Sequence, residues 1–176
     1  LNKKATPIFF HSKCGGKTLT PDQVWKNPVA GYRSVNCPFC HKHGRKDWKR
    51  VYEKSKLGYS LQRVLRKYNQ SQVNLRRAKY YIEENTNMQA YLKLLTADEL
   101  KYVKKSRLRS ILGRKALPSN NYELEDLGEK IKISGSGYGR GVGMCQFGAK
   151  ELALKGYNYK QILAHYFPDL KIRKIY

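Results

Sequence analysis

Gly137-Tyr138-Gly139-Arg140-Gly141-Val142-Gly143-Met144-Cys145-Gln146-Phe147-Gly148-Ala149 alternates glycine with larger residues and then enters a helix-forming run. Glycines so closely spaced let a backbone approach a flat ligand or another strand. The stretch lacks the Gly-Lys-Ser/Thr ending of a P-loop. It also lacks the strand, G-x-G-x-x-G and helix order of a dinucleotide site. Gln146 carries an amide that can donate to and accept from sugar hydroxyls or N-acetyl groups. The competing reading is a glycine-rich packing corner under the helix that follows.

Working outward, that helix is expected from about Gln146 to Lys155, ended by Gly156. A second helix carries Ile162, Leu163, Tyr166 and Phe167 and stops at Pro168, and Lys171 to Tyr176 alternates like an edge strand. Upstream, Tyr122 to Ile133 alternates around Gly128 as a β-hairpin. Thr96-Ala97-Asp98-Glu99 is a capping box whose helix would run towards Gly113. Tyr80-Tyr81-Ile82 suits a strand and Met88 to Leu95 a helix. Leu61, Val64, Leu65 and Tyr68 follow helical spacing behind Ser60. Residues 7–12 read as a short buried strand running into Gly15-Gly16, Thr20-Pro21 opens a helical turn through Val24 and Trp25, and 28–48 is loop-like. This mixture predicts an α+β fold.

The chain has 176 residues, 40% of them hydrophobic, with 14 Tyr, 5 Phe and 2 Trp. That is a one-domain length with material for a core, so wholesale disorder is excluded. The expected division of the domain 1–176 is 1–58, then a helix-rich 59–113, then 114–176. No apolar run approaches the ~20 residues of a membrane span. The start, Leu1-Asn2-Lys3-Lys4-Ala5-Thr6-Pro7, has no apolar signal-peptide core and no initiator Met, and reads as a processed or truncated chain. Lys plus Arg number 36 against 13 Asp plus Glu, a formal charge of +23. Such a surface suits a polyanion: nucleic acid, acidic lipid or a wall polymer.

Cys37-Pro38-Phe39-Cys40 is a C-x-x-C with His41 and His43 behind it. Two thiolates at this spacing can grip one Zn²⁺ from a tight turn. Cys14 is a candidate third ligand, and His43, His41 or His11 the fourth; His43 is the expected one. A thioredoxin-like motif needs the first Cys at a helix start, where Pro28, Gly31 and Pro38 argue for loop. A disulfide is the other alternative. A zinc-bearing nucleic-acid module would need a second pair at finger spacing, and the only later cysteine is Cys145.

The glycine stretch resembles the G-Y-G-H-G-V-G-M-S-Q-x-G-A signature of the SpoIID/LytB family, peptidoglycan lytic transglycosylases and amidase enhancers named for stage II sporulation protein D. The resemblance continues through Lys155-Gly156-Tyr157 and Ile162-Leu163-Ala164-His165-Tyr166-Phe167-Pro168. Phe10-His11-Ser12-Lys13-Cys14-Gly15-Gly16-Lys17-Thr18 is similar to the family's F-H-S-x-C-G-G-x-T. Val24-Trp25 and Val35-Asn36-Cys37-Pro38-Phe39-Cys40 with Trp48 match its next block. Leu108-Arg109-Ser110-Ile111-Leu112-Gly113 with Leu117-Pro118-Ser119 matches its R-x-x-L-G and P-S elements. Residues 59–95 are not covered. Three departures stand out: Arg140 replaces the signature His, Cys145 replaces the signature Ser, and Arg45 stands where many members carry a His after the second Cys. Arg cannot serve as a base.

The resemblance implies a single SpoIID-like domain in which His11, Ser12 and Thr18 line a glycan cleft, with Gly139, Arg140, Gly141 and Gln146 on its other side. It implies denuded peptidoglycan glycan strands as substrate, a cell-wall amidase as a partner, no nucleic acid, and an extracytoplasmic place in the bacterial envelope. The family's acid/base is a Glu upstream of the F-H-S motif, so no catalytic residue is expected within 1–176. Cleavage without water needs a carboxylic acid kept protonated near neutral pH, its pKa raised by roughly two units, and neither Glu83, Glu84, Glu123, Glu125 nor Glu151 suits that. The rival readings are a non-enzymatic wall-binding or amidase-enhancing module and a basic, zinc-containing nucleic-acid-binding protein.

Overall fold

The computed structural model describes residues 5–25, 27–44, 47–57, 79–81, 91–95 and 100–173. In chain order the described strands are β1 (Phe10–His11), β2 (Asp47–Glu53), β3 (Lys79–Tyr81), β4 (Tyr91–Leu95), β5 (Leu100–Lys104), β6 (Tyr122–Leu127), β7 (Lys130–Ser136) and β8 (Met144–Cys145). Helices within the described residues include α1 (Pro21–Val24), α2 (Lys105–Leu112), α3 (Gln146–Leu154) and α4 (Tyr159–Tyr166), with a 3₁₀ helix over Pro38–His43. The architecture mixes helices with small sheets, in keeping with α+β. Among the described residues no helix is long and apolar enough to cross a membrane.

The ends of the chain, Leu1–Lys46 and Ser136–Tyr176, form one compact unit, and Asp47–Gly135 forms a second. In the first, β1 pairs in parallel with β8, aligning Phe10 with Met144 and His11 with Cys145. Asn158 caps α4 reciprocally: its side chain accepts from Gln161 N at 3.0 Å, and its own N–H donates to Gln161 Oε1 at 2.9 Å. The core of this unit gathers Cys14, Cys37, Cys40 and Cys145 with Leu152, Tyr166 and Phe167. The 7–12 segment is not the buried strand expected: Phe10 is 65% exposed while His11 is buried. Only one face of so short a strand meets the core.

The second unit holds two three-stranded sheets, β2-β7-β6 and β3-β4-β5. The expected hairpin is present, with Tyr122 opposite Gly135 and Leu127 opposite Lys130. Asp126 Oδ1 accepts from Gly128 N at 2.9 Å, and Gly128 sits at φ +78°, so the turn closes without steric cost. Ile131 and Ile133 face inward beside Leu57, Leu108, Leu117 and Tyr122. Trp48 Nε1 donates to Ser119 Oγ at 3.3 Å.

Two local readings are corrected here. Residues 91–95 are strand rather than helix, paired on one side with β3 and on the other with β5. The helix ending at Gly113 starts only at Lys105, after β5. In both places ladder partners distant in sequence outweigh the local preference. The helical spacing over 61–68 and the capping box at 96–99 lie outside the described residues. Residues 171–173 form no strand.

Candidate functional site

The first unit brings together segments more than a hundred residues apart. Phe9 O accepts from Met144 N at 3.1 Å, Lys13 and Tyr138 exchange bonds of 3.0 and 2.8 Å, Leu19 N donates to Gly141 O at 2.8 Å, and Phe147 N donates to Ser12 O at 3.2 Å. The alternate glycines make this approach possible. At Gly143 (φ +75°) a Cβ would strike the Phe9 carbonyl, and at Gly139 (φ +113°) one would stand 3.0 Å from His11 Cβ. Gly141 likewise faces Leu19. The missing side chains therefore make room for the chain's own first strand and the residues after it. Gly139 and Gly141 shape the loop, while Tyr138, Arg140 and Gln146 are exposed on it.

Beneath the loop lie four thiols. The Sγ atoms of Cys14, Cys37, Cys40 and Cys145 fall within 4.8 Å of one another, and all four residues are buried. None is disulfide-bonded. A tetrahedral Zn²⁺ with ~2.3 Å bonds to sulfur needs S···S edges of roughly 3.8 Å. Cys14 and Cys40 already stand at 3.6 Å. Donors surround the sulfurs: Gly16 N to Cys14 at 3.4 Å, Gly148 N to Cys145 at 3.4 Å, and Tyr166 Oη beside Cys37 at 3.1 Å. Burial raises the Tyr166 hydroxyl, so it keeps its proton within hydrogen-bond reach of Cys37. Thiolates with such donors are what a metal of zinc's type requires, and the donor set fits.

The thiols titrate as one cluster. Cys37 is lowered to about 7, first by its hydrogen bond with Cys14 and next by that with Cys145. Cys40 is lowered by the same two partners, and Cys14 is raised by its bonds to Cys145, Cys37 and Cys40.

His43 is not the fourth member of this group. Its Nε2 lies 3.2 Å from Glu151 Oε2, and its ring packs on Phe147. Lys42 Nζ also reaches Glu151, at 3.2 Å. His41 is exposed. Sequence reasoning set Cys145 aside because ligand motifs are sought at short spacing, whereas this thiol arrives through the β1–β8 pairing. The available signal was the substitution of cysteine for the signature serine.

Thr18 is buried, and its hydroxyl accepts from Val35 N at 2.9 Å, which ties it to the backbone. His11 Nδ1 lies 3.0 Å from Val142 O. Burial holds its pKa below the ordinary value, so the ring is neutral with its proton on Nδ1. Nε2 is then an acceptor, buried without a hydrogen-bond partner. Ser12 is half-buried beside it. The Arg140 guanidinium lies 5.8 Å over the ring of Trp25, a residue the sequence reading matched to a motif but gave no role. Glu151 is held below the usual carboxylate range by Lys42, the wrong direction for a general acid.

No family model matches the chain. A 92-residue stretch is 35% identical to an amidase enhancer of Bacillus subtilis (strain 168), covering 52% of this chain and 12% of that protein. Half of this chain is similar to part of an amidase enhancer. Over 69 residues, 39% of the chain, it is 36% identical to a stage II sporulation protein D of Bacillus amyloliquefaciens, of which 20% is covered. An uncharacterized protein of Brachyspira hyodysenteriae is 39% identical over 64 residues, 36% of this chain and 17% of that protein. The chain thus spans a fifth or less of the length of these curated relatives.

Proposed function

We propose that this chain is the glycan-engaging part of a bacterial cell-wall protein of the SpoIID type. One observation carries the reading: the two blocks that bear the resemblance, Phe10 to Thr18 and Gly137 to Ala149, are hydrogen-bonded to each other as one unit. Arg140 and Gln146 meet the sugar strand from the loop, with Tyr138 beside them, together with His11 at the end of β1 and Ser12 just after it. Cys14, Cys37, Cys40 and Cys145 would hold a structural Zn²⁺, which would supply a crosslink and no chemistry at the glycan.

In the whole protein, lytic transglycosylation of denuded glycan strands takes its acid/base from a Glu outside residues 1–176. That acid protonates the leaving oxygen and then deprotonates the muramyl 6-hydroxyl. The setting is extracytoplasmic, and the relative named amidase enhancer supports a cell-wall amidase as protein partner. The charge of +23 adds a salt-screened attraction to an anionic wall.

The test is retention on purified sacculi against DNA and RNA of equal charge, at two salt concentrations. Preference for sacculi that survives higher salt is the expected result. Equal or stronger retention on nucleic acid would favour the basic nucleic-acid-binding reading instead. Mass spectrometry of sacculus digests should find 1,6-anhydromuramyl products only when the protein extends to the Glu.

A further inference from the structure

We infer that Cys145 is a positioning residue that makes the glycine-rich loop metal-dependent: a metal ion held by the four thiols fastens the loop at the point where it enters α3. This rests on the glycan reading above only for its consequence in binding, since the order of the loop can be read without any glycan.

The four sulfurs come from three separate places: Cys14 follows the segment that pairs with the loop, Cys37 and Cys40 bracket the start of the 3₁₀ helix, and Cys145 ends β8 and caps α3. Besides Cys145, the loop is held by a pair of backbone bonds at Tyr138, by single ones at Gly141, Met144 and Phe147, and by His11 Nδ1 at Val142 O. Five glycines between 135 and 143 give that stretch little stiffness of its own. Gln146 is bonded directly to Cys145, and Arg140 lies five residues before it, so a crosslink at Cys145 limits where both can point. Without the ion, the Cys145 side chain is held by contacts of 3.7 Å to Ser12 O and 3.4 Å to Gly148 N, beside the backbone bonds of Met144 and Phe147. Serine at this position could still cap α3 through its hydroxyl. It is a poor zinc ligand beside a thiolate, so the departure from the signature serine gains its meaning from the metal.

The experiment compares the zinc-loaded chain, the same chain stripped by a chelator under reducing conditions, the stripped chain with zinc restored, and Cys145→Ser. Three readouts are taken: the Co²⁺ absorption spectrum, amide hydrogen exchange over 137–148, and retention on purified glycan strands. Co²⁺ should report four thiolates in the wild type and an altered ligand field in Cys145→Ser. Stripping and Cys145→Ser should both speed exchange in the loop and weaken glycan retention by about tenfold or more, the range seen when a metal's supporting shell is lost. Zinc should restore the stripped wild type and not the variant. An unchanged Co²⁺ spectrum in Cys145→Ser, or loop exchange indifferent to stripping, would overturn the inference. Should Cys145→Ser fail to fold, stripping and restoring the wild type decides it alone. If the zinc-loaded wild type shows a protected loop yet ignores glycan, the glycan reading fails and this inference stands.

Discussion

Replacing Gly148 with alanine should destabilise the four-thiol centre, although the same change stabilises most helices. Gly148 lies within α3, where exchanging glycine for alanine ordinarily gains about 1 kcal/mol. Here a Cβ would run into Tyr166 Oη and Cys37 Sγ at once. Overpacking a tight site costs about 1–3 kcal/mol. Moving Tyr166 Oη also breaks its 3.1 Å contact with Cys37, and a hydrogen bond to a charged sulfur is worth about 1.5–3 kcal/mol. The balance is a net loss of about 2–4 kcal/mol, or a melting temperature lower by roughly 4–16 °C. Thermal unfolding of zinc-loaded protein measures it. Adding Tyr166→Phe removes the obstructing oxygen, so the double variant should lose less than the two single losses combined, with a coupling of at least about 1 kcal/mol. Gly148→Ala melting above the wild type, or showing no coupling to Tyr166→Phe, would refute the packing argument.

His43→Ala should keep one metal per chain by elemental analysis and lose about 1 kcal/mol or less, because Lys42 still neutralises Glu151. Burial lowers His165 as well as His11. Their folded-state pKa values lie below the unfolded ~6.5, so stability is complete above that pH and falls as the pH drops through it. His165→Gln should flatten the melting curve's pH dependence between about pH 7 and 5. Arg140→Gln and Gln146→Ala should weaken retention on sacculi, Gln146→Ala without moving the melting temperature, and Arg140→Gln should also reduce the salt sensitivity of that retention. Gly143→Ala should disrupt the first unit through the Phe9 carbonyl, seen as lost near-ultraviolet circular dichroism.

The elements legible in the sequence were those whose signals are local. The Gly128 hairpin, the run from Gln146 to Gly156 and the stop at Pro168 all carry their own turn or cap residues, and all appear. Where pairing decides the outcome, the sequence was mute: nothing within 91–104 announces that Tyr91 meets Lys104. The same division runs through the site. Cys14, Cys37 and Cys40 were legible from spacing and motif, whereas Cys145 reaches them only because His11 is registered beside it. His43, near the C-x-x-C in sequence, stands outside the four-thiol group, with its Nε2 3.2 Å from Oε2 of Glu151 on α3. The glycines were recognised as close-approach residues, and only the folded chain shows that they approach Phe9, His11 and Leu19.

The division of the chain into nested units has a consequence for how it can be cut and changed. β2 leaves the first unit and β7 returns to it as neighbours in one sheet, with Lys54 N donating to Glu129 O at 2.9 Å beyond their far ends. The four cysteines, the glycine loop, α3 and α4 all lie outside residues 47–135. The stretch 59–95, which the family motifs do not reach, falls wholly inside 47–135, so lengthening, shortening or rewriting it alters none of the residues that build the thiol centre.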